Sequence, residues 1–294
     1  MSALAAFALA LVLGRFLGEK ADSTRPSESG SESSSESLSE SPAIPPERSE
    51  VPAIDGVFVG LEGITDNTYS EVAKQIPDTA AAVSMSLFYS NGAPYYSSEA
   101  AEAFGNPAGE LTLKNVFGYA KENGIYISVP FRSKALASHS ALTFGAAAAY
   151  ELELMRELYL AGADEVIVIP HLSEDGARPS ISDSEYASKV AEYLSDIKRE
   201  LPKLRIGYAL TYDELADDGA AAAISEINGR ADLLAADLTE FSEASELEEA
   251  AREIQVKLMR YGMRVLIGGG DRAELCASLD LLGLKNRQMM TKGR

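Results

Sequence analysis

Gly162-Ala163-Asp164-Glu165-Val166-Ile167-Val168-Ile169-Pro170-His171 is the stretch that decides the fold. Its glycine suits the left-handed residue that closes a helix, and the β-branched run after it has the composition of a buried strand. Downstream, Tyr186, Val190, Tyr193, Leu194, Ile197 and Leu201 recur at helical spacing and make one apolar stripe. The same order repeats outward in both directions. Strand-like runs occupy 57–59, 82–87, 126–131, 166–171, 206–212, 233–238 and 265–267, with a weaker eighth at 288–290. Gly124 and Gly262 also sit immediately before strands, and Leu247, Ala251, Ile254, Leu258 and Tyr261 form a second helical stripe. Ser182 with Glu185, and Ser245 with Glu248, have capping-box spacing and are expected to start helices. Parallel strands need helical crossovers, so this alternation predicts an α/β fold with helices outside a parallel sheet. Eight units in about 240 residues match a single-domain (β/α)8 barrel of the TIM type.

The remaining 50 or so residues are of another kind. Residues 3–13 are continuously apolar, about the length of a signal-peptide core and short of the roughly 20 needed to span a bilayer. Residues 1–20 are therefore expected to be a signal peptide or signal anchor. Residues 21–53 are rich in Ser, Glu and Pro and bury too little apolar surface to offset the entropy of ordering, so a disordered linker is expected there. The barrel is assigned to 54–291. Together these imply an extracytoplasmic domain, secreted or tethered to the membrane by its N-terminal segment.

Charge and cysteine usage narrow the chemistry. The net charge is −19; residues 1–50 hold eight acidic and four basic side chains, which leaves −15 for the domain. Such a domain repels phosphate backbones, which argues against a nucleic-acid partner. Cys276 is the only cysteine, so no intramolecular disulfide forms, and its place on a helix expected at 272–284 suits a small packed residue. The two histidines, His139 and His171, have no zinc-site spacing, so neither a metal nor a cofactor is expected.

A barrel carries its chemistry on the loops after its strands. Those loops hold Glu62; Phe88 and Tyr89; Arg132; His171; Tyr212 and Asp213; Asp237 and Glu240; and Gly268-Gly269-Gly270-Asp271. The longest insertion, 90–109, brings Tyr95, Tyr96 and Phe104 to the same rim. Asp237 is the most suggestive acid, since 233–238 is otherwise apolar and a carboxylate there needs a partner or a task; a solvated strand-end acid is the simpler account. Glu62, Asp213 and Asp237 are the candidate catalytic carboxylates, with no spacing that pairs any two. Tyr89, Tyr95 and Tyr212 suit stacking on sugars, or simply pack loops onto the barrel. Arg132 suits a carboxylate or uronic acid, or a neighbouring Glu. His171 suits a hydrogen-bond donor, or an imidazole bonded to backbone. The triple glycine resembles a phosphate loop, but Asp271 would cap the following helix and oppose an anion, so a tight turn is expected.

Several of these segments resemble a bacterial family of glycoside-hydrolase-like (β/α)8 barrels that are secreted or membrane-tethered. Gly56-Val57-Phe58-Val59-Gly60-Leu61 resembles its opening strand, and Ala82-Val83-Ser84-Met85 followed by Asn91-Gly92-Ala93-Pro94-Tyr95-Tyr96 its second strand and loop. The stretch from Asn123 to Ala137 resembles the third unit, and Gly162–Pro170 with Ser173-Glu174-Asp175-Gly176 the fourth. The departures fall at the acids. Met85 or its neighbour stands where the family has Asp, Ile169-Pro170 where it has Asp-Tyr, and Val129-Pro130 near its Arg. Glycoside hydrolysis uses two carboxylates flanking the scissile bond. The resemblance thus implies a degenerate barrel that binds carbohydrate or another cell-wall component without cleaving it. Two other readings stand beside it: an active glycosidase with relocated carboxylates, and a non-enzymatic scaffold that presents 90–109 to a protein.

Overall fold

The computed structural model describes residues 57–89, 91–138, 141–170 and 179–291. The N-terminal segment, the linker and both histidines lie outside these residues. The expected fold is the observed one. Eight strands run β1 (Phe58–Gly60), β2 (Ala82–Ser86), β3 (Tyr126–Ser133), β4 (Glu165–Pro170), β5 (Arg205–Thr211), β6 (Leu233–Leu238), β7 (Arg264–Ile267) and β8 (Arg287–Met289). They pair in chain order, every ladder parallel, into one nearly closed barrel. The connecting helices are α1 (Ser70–Lys74), α2 (Glu99–Phe104), α3 (Leu113–Glu122), α4 (Ala141–Ala161), α5 (Ser184–Glu200), α6 (Tyr212–Ala216), α7 (Ala221–Asn228), α8 (Ala244–Glu253), α9 (Gln255–Tyr261) and α10 (Arg272–Leu281). Among the described residues no helix is long and apolar enough to cross a membrane.

Alternation along each strand divides the core. Outward residues such as Met85, Ile127, Val166, Val168, Ile206 and Val265 meet the helices in a large shell that includes the α5 stripe Tyr186, Val190, Tyr193, Leu194 and Ile197. Inward residues Ile167, Ile169, Ala209, Leu233, Ala235 and Leu266 fill the barrel with Met290. Gly207 makes room there: a β-carbon on it would sit 3.1–3.2 Å from Leu233 and Ile167.

Element boundaries moved for local reasons. α5 is capped by Asp183, whose carboxylate accepts from the Glu185 and Tyr186 amides, while Ser182 pairs with the Ser180 hydroxyl instead. Ser245 lies inside α8, which starts after Glu243. The second stripe belongs to two helices, because Ile254 (φ −96°, ψ 6°) interrupts the run between α8 and α9. β3 continues through Arg132 and Ser133, whereas Tyr212 has left its strand and opens α6, where Thr211 and Glu214 form the capping box. Asp271 caps α10 as expected, accepting from the Ala273 and Glu274 amides.

Across the lower half of the barrel runs a polar girder. Arg264 on β7 reaches Glu165 on β4 in a wholly buried ion pair, the two side chains 1% and 0% exposed. Glu165 also accepts from the Ser128 hydroxyl at 2.7 Å and the Tyr126 hydroxyl at 3.2 Å. Arg264 also donates to Gln288 at 3.0 Å and Asn286 at 3.2 Å. Gln288 then donates to Ser84 at 3.0 Å and Ser128 at 3.2 Å. These bonds join β8 to β2 and β3 through the interior, and no β8–β1 ladder is present among the described residues.

The outer edge of β1 is satisfied in another way. Val57 O accepts from Ser84 N, so the peptide groups of Gly60 face away from β2. There the Gln75 side-chain amide donates to Gly60 O at 3.1 Å and accepts from Gly60 N at 3.2 Å.

Removing one partner of a buried ion pair strands the other charge. Arg264→Met is therefore expected to lower unfolding stability by about 3–5 kcal/mol, and adding Glu165→Gln to recover a substantial part of it. Urea unfolding of the two variants measures this; equal loss in both would mean the charge of Glu165 is not what the arginine balances.

Candidate functional site

The C-terminal ends of the strands gather the candidate residues into three groups. The first lies after β1 and β2. Tyr89 packs on Tyr95, ring centroids 3.7 Å apart and planes tilted by 39°. Partial burial raises the Tyr95 phenol pKa, and the charge of Glu62 adds to it, so the expected Glu62, Tyr89 and Tyr95 share one corner of the rim. The 90–109 insertion is clamped beneath them: Gly109 N donates to Pro94 O, and a β-carbon on Gly109 would fall 1.9 Å from Tyr95 O. Only glycine permits that approach.

The second group lies after β5 and β6. Asp237 shares its face of β6 with the inward Leu233 and Ala235, so it points to the mouth of the barrel, half-buried. One of its oxygens accepts from the Thr239 amide at 3.1 Å and hydroxyl at 2.6 Å. Glu240 has its carboxyl pKa raised by desolvation and by the charges of Asp213 and Asp237, which places all three acids within electrostatic reach. The glycine turn after β7 braces this loop: β-carbons on Gly268 and Gly270 would lie 2.2 Å from Thr239 O and 2.4 Å from Ser242 O. The Tyr212 hydroxyl donates to Glu253 at 2.5 Å and its ring packs edge-on against Phe241, which leaves part of the ring surface as what it can offer a ligand.

The third group is a pocket of about 450 Å³ between the 90–109 insertion, the end of β3 and the face of α4. Asn91, Phe104, Asn106, Arg132, Lys134 and Tyr150 are the side chains that give it character. Phe104 and Tyr150 form one aromatic wall, centroids 5.4 Å apart. Arg132 lies near the end of β3 and Lys134 in the turn that follows it, and both line the pocket. Ser133, between them, lies on the outer face of β3 with Ile127 and Phe131 and donates to Glu151 on α4 at 2.7 Å. Glu151 is the only acid in the lining among the described residues, and both its oxygens are engaged. Its two oxygens also accept from the Lys134 amide at 2.6 Å, the Ala135 amide at 3.0 Å and the Tyr193 hydroxyl at 2.7 Å. Burial pushes its carboxyl pKa up, against the pull of these bonds. The Tyr150 phenol is pushed up to about 12 by desolvation and by the charges of Glu157 and Glu151.

Of the residues singled out in the sequence, Arg132 is in this pocket, while Glu62, Tyr89 and Tyr95 lie in the first group and Asp213, Asp237 and Tyr212 in the second. His171 lies outside the described residues. Tyr150 and Asn106 were not indicated by any pattern: α4 is apolar on nearly every side, so periodicity marks no face. Met85 faces the outer shell, and the β2 residue turned toward the mouth is Ser86, one of the neighbours of the position where the resembled family has Asp. Among the described residues no cluster of three or more His, Cys, Asp or Glu is placed to hold a metal.

No family model matches the chain, and no curated protein does. Solved structures do. A broad-specificity GH5-4 endoglucanase from Clostridium longisporum aligns at TM-score 0.50 and 10% identity, over 78% of this chain and 76% of that one. An FMN-binding β-glucuronidase from Faecalibacterium prausnitzii L2-6 aligns at 0.53 and 8% identity, over 82% of this chain but 38% of that longer one. The C-terminal domain of a chitinase-like protein from Desulfitobacterium hafniense DCB-2 aligns at 0.48 and 13% identity, over 74% and 66%. What the endoglucanase and the β-glucuronidase share with this chain is the barrel. At these identities the likeness is one of fold, and activity has to be argued from the site.

Because the charges of Asp213 and Asp237 add to desolvation in holding the Glu240 carboxyl up, replacing either by Asn is expected to lower the Glu240 pKa. Carboxyl-carbon NMR titration reads this directly, and an unmoved Glu240 in both variants would separate the three acids.

Proposed function

We propose that this is an extracytoplasmic glycoside-hydrolase-like barrel that binds carbohydrate in the pocket between β3, α4 and the 90–109 insertion, without cleaving it. The observation that carries the proposal is the composition of that pocket. Two aromatic rings offer apolar faces to a sugar ring, and two side-chain amides and two cations offer the directional donors that orient it. Hydrolysis there would need two free carboxylates, and Glu151, the one acid of the lining among the described residues, has both oxygens occupied by four donors. The address rests on the apolar 3–13 run and the Ser/Glu/Pro-rich linker that follows it. Fractionation of the native cell is expected to recover the full-length protein with the envelope, and recovery from the cytosol would remove that part of the proposal.

A second reading has its own support. Glu240, whose carboxyl pKa is raised by desolvation and by Asp213 and Asp237, sits at the barrel mouth in the kind of environment that suits a general acid. In that reading the barrel mouth hydrolyses a glycan and the pocket positions it.

Binding and turnover are measured on one preparation with wall polysaccharides. Retention without sustained release of reducing sugar is expected, and Phe104→Ala should weaken retention about fivefold through loss of stacking. Release abolished by Asp237→Asn would replace the proposal with the second reading. Failure to retain any glycan would overturn both.

A further inference from the structure

The domain is strongly acidic, and many of its cations are neutralised at close range. Arg156 pairs with Glu153, Lys198 with Asp232, Arg199 with Asp196, Arg252 with Glu248, and Arg287 with Asp280. Arg132 and Lys134 differ. Neither side chain makes an ion pair or a hydrogen bond among the described residues, although both line the pocket described above. They are two residues apart in the chain, at the end of β3 and in the turn after it, and both border the one cavity. The Lys134 ammonium lies along Gly92, where a β-carbon would come within 3.0 Å of its Cε and 3.6 Å of its Nζ. A side chain at position 92 would thus crowd the cation at the pocket wall.

The acid nearest to them does not cancel this charge. Glu151 directs both oxygens at donors behind the wall, one pair of them the amides of Lys134 and Ala135. What remains facing the cavity is an arginine fork, an ammonium, two carboxamides and an aromatic wall. Two unpaired cations in a partly enclosed space favour an anionic ligand over a neutral one. A guanidinium matches the planar carboxylate by two parallel hydrogen bonds. The rings and amides match the sugar that carries it.

We infer that the pocket between β3, α4 and the 90–109 insertion selects a saccharide bearing a carboxylate, a uronic-acid unit, with Arg132 and Lys134 holding the acid group and Phe104 and Tyr150 the ring. This rests on the carbohydrate reading above and names the class of sugar. Sulfate esters present similar oxygens on a tetrahedral centre, and the experiment separates the two.

Calorimetric titration of the full chain uses three probes: an oligogalacturonate, its full methyl ester and a sulfated neutral oligosaccharide of the same length. The acid is expected to bind about tenfold or more tighter than the ester, the effect of one or two charge-assisted hydrogen bonds. Arg132→Gln and Lys134→Gln should each weaken the acid about fivefold or more and the ester markedly less. Both are exposed or unpartnered side chains, and unaltered thermal unfolding of the variants confirms that the fold is intact. Equal affinity for acid and ester, or variants that weaken both alike, would overturn the inference while leaving carbohydrate binding in place. Tighter binding of the sulfated probe would overturn the assignment to carboxylate. Binding of none of the three, with neutral wall glycans retained, would also overturn it; binding of no glycan whatever would instead count against the proposed function itself.

Discussion

The barrel is held in register by one contact that crosses its interior, the buried Arg264–Glu165 ion pair. A charge in a dry barrel is expensive unless its remaining hydrogen-bonding capacity is met, and here Ser128, Tyr126, Gln288 and Asn286 meet it. The consequence is geometric. The pair joins strands three places apart, and Gln288 carries the connection on to β2 and β3. The strand spacing at the bottom of the barrel is thereby set by side chains as well as by ladders. Small residues above it, Gly207, Ala209 and Ala235, let the inward Ile167, Ile169, Leu233 and Leu266 close over the girder.

That division leaves the upper rim free to vary. At the end of β3 it produces two functions from three consecutive residues: Ser133 faces the helices and fastens α4 through Glu151, while Arg132 and Lys134 border the pocket. The carboxylate that fixes the wall is therefore withdrawn from chemistry by the same bonds that position it. On the opposite rim, the glycine turn after β7 brings backbone against the β6 loop closely enough to hold Thr239, and Thr239 in turn fixes Asp237. One side of the mouth is cationic and aromatic, the other acidic.

The repeat of strand and helix was plain in the sequence because hydrophobic alternation and helix-ending glycines are local signals. All seven clear strand runs lie within two residues of observed ends, and the three-residue eighth was weak only because so short a run carries little pattern. The girder was invisible for the opposite reason. Glu165 and Arg264 are 99 residues apart, and Gln288 and Ser84 204 apart, and each alone looks like a polar residue where a strand begins or passes. The pocket falls between these extremes. Arg132 could be placed from its strand, whereas Tyr150 and Asn106 meet it only through tertiary packing of α4 and the insertion. Capping boxes misled at Ser182 and Ser245, since the neighbouring Asp183 is the better acceptor and α8 begins before its serine.

An unpaired parallel edge beside a gap in a sheet is a template on which another chain's strand can grow. β1 would present such an edge, and the amide of Gln75 occupies it with the donor and acceptor of a stand-in peptide group. A side chain at one position thus makes, at Gly60, the two hydrogen bonds that a further strand would make there.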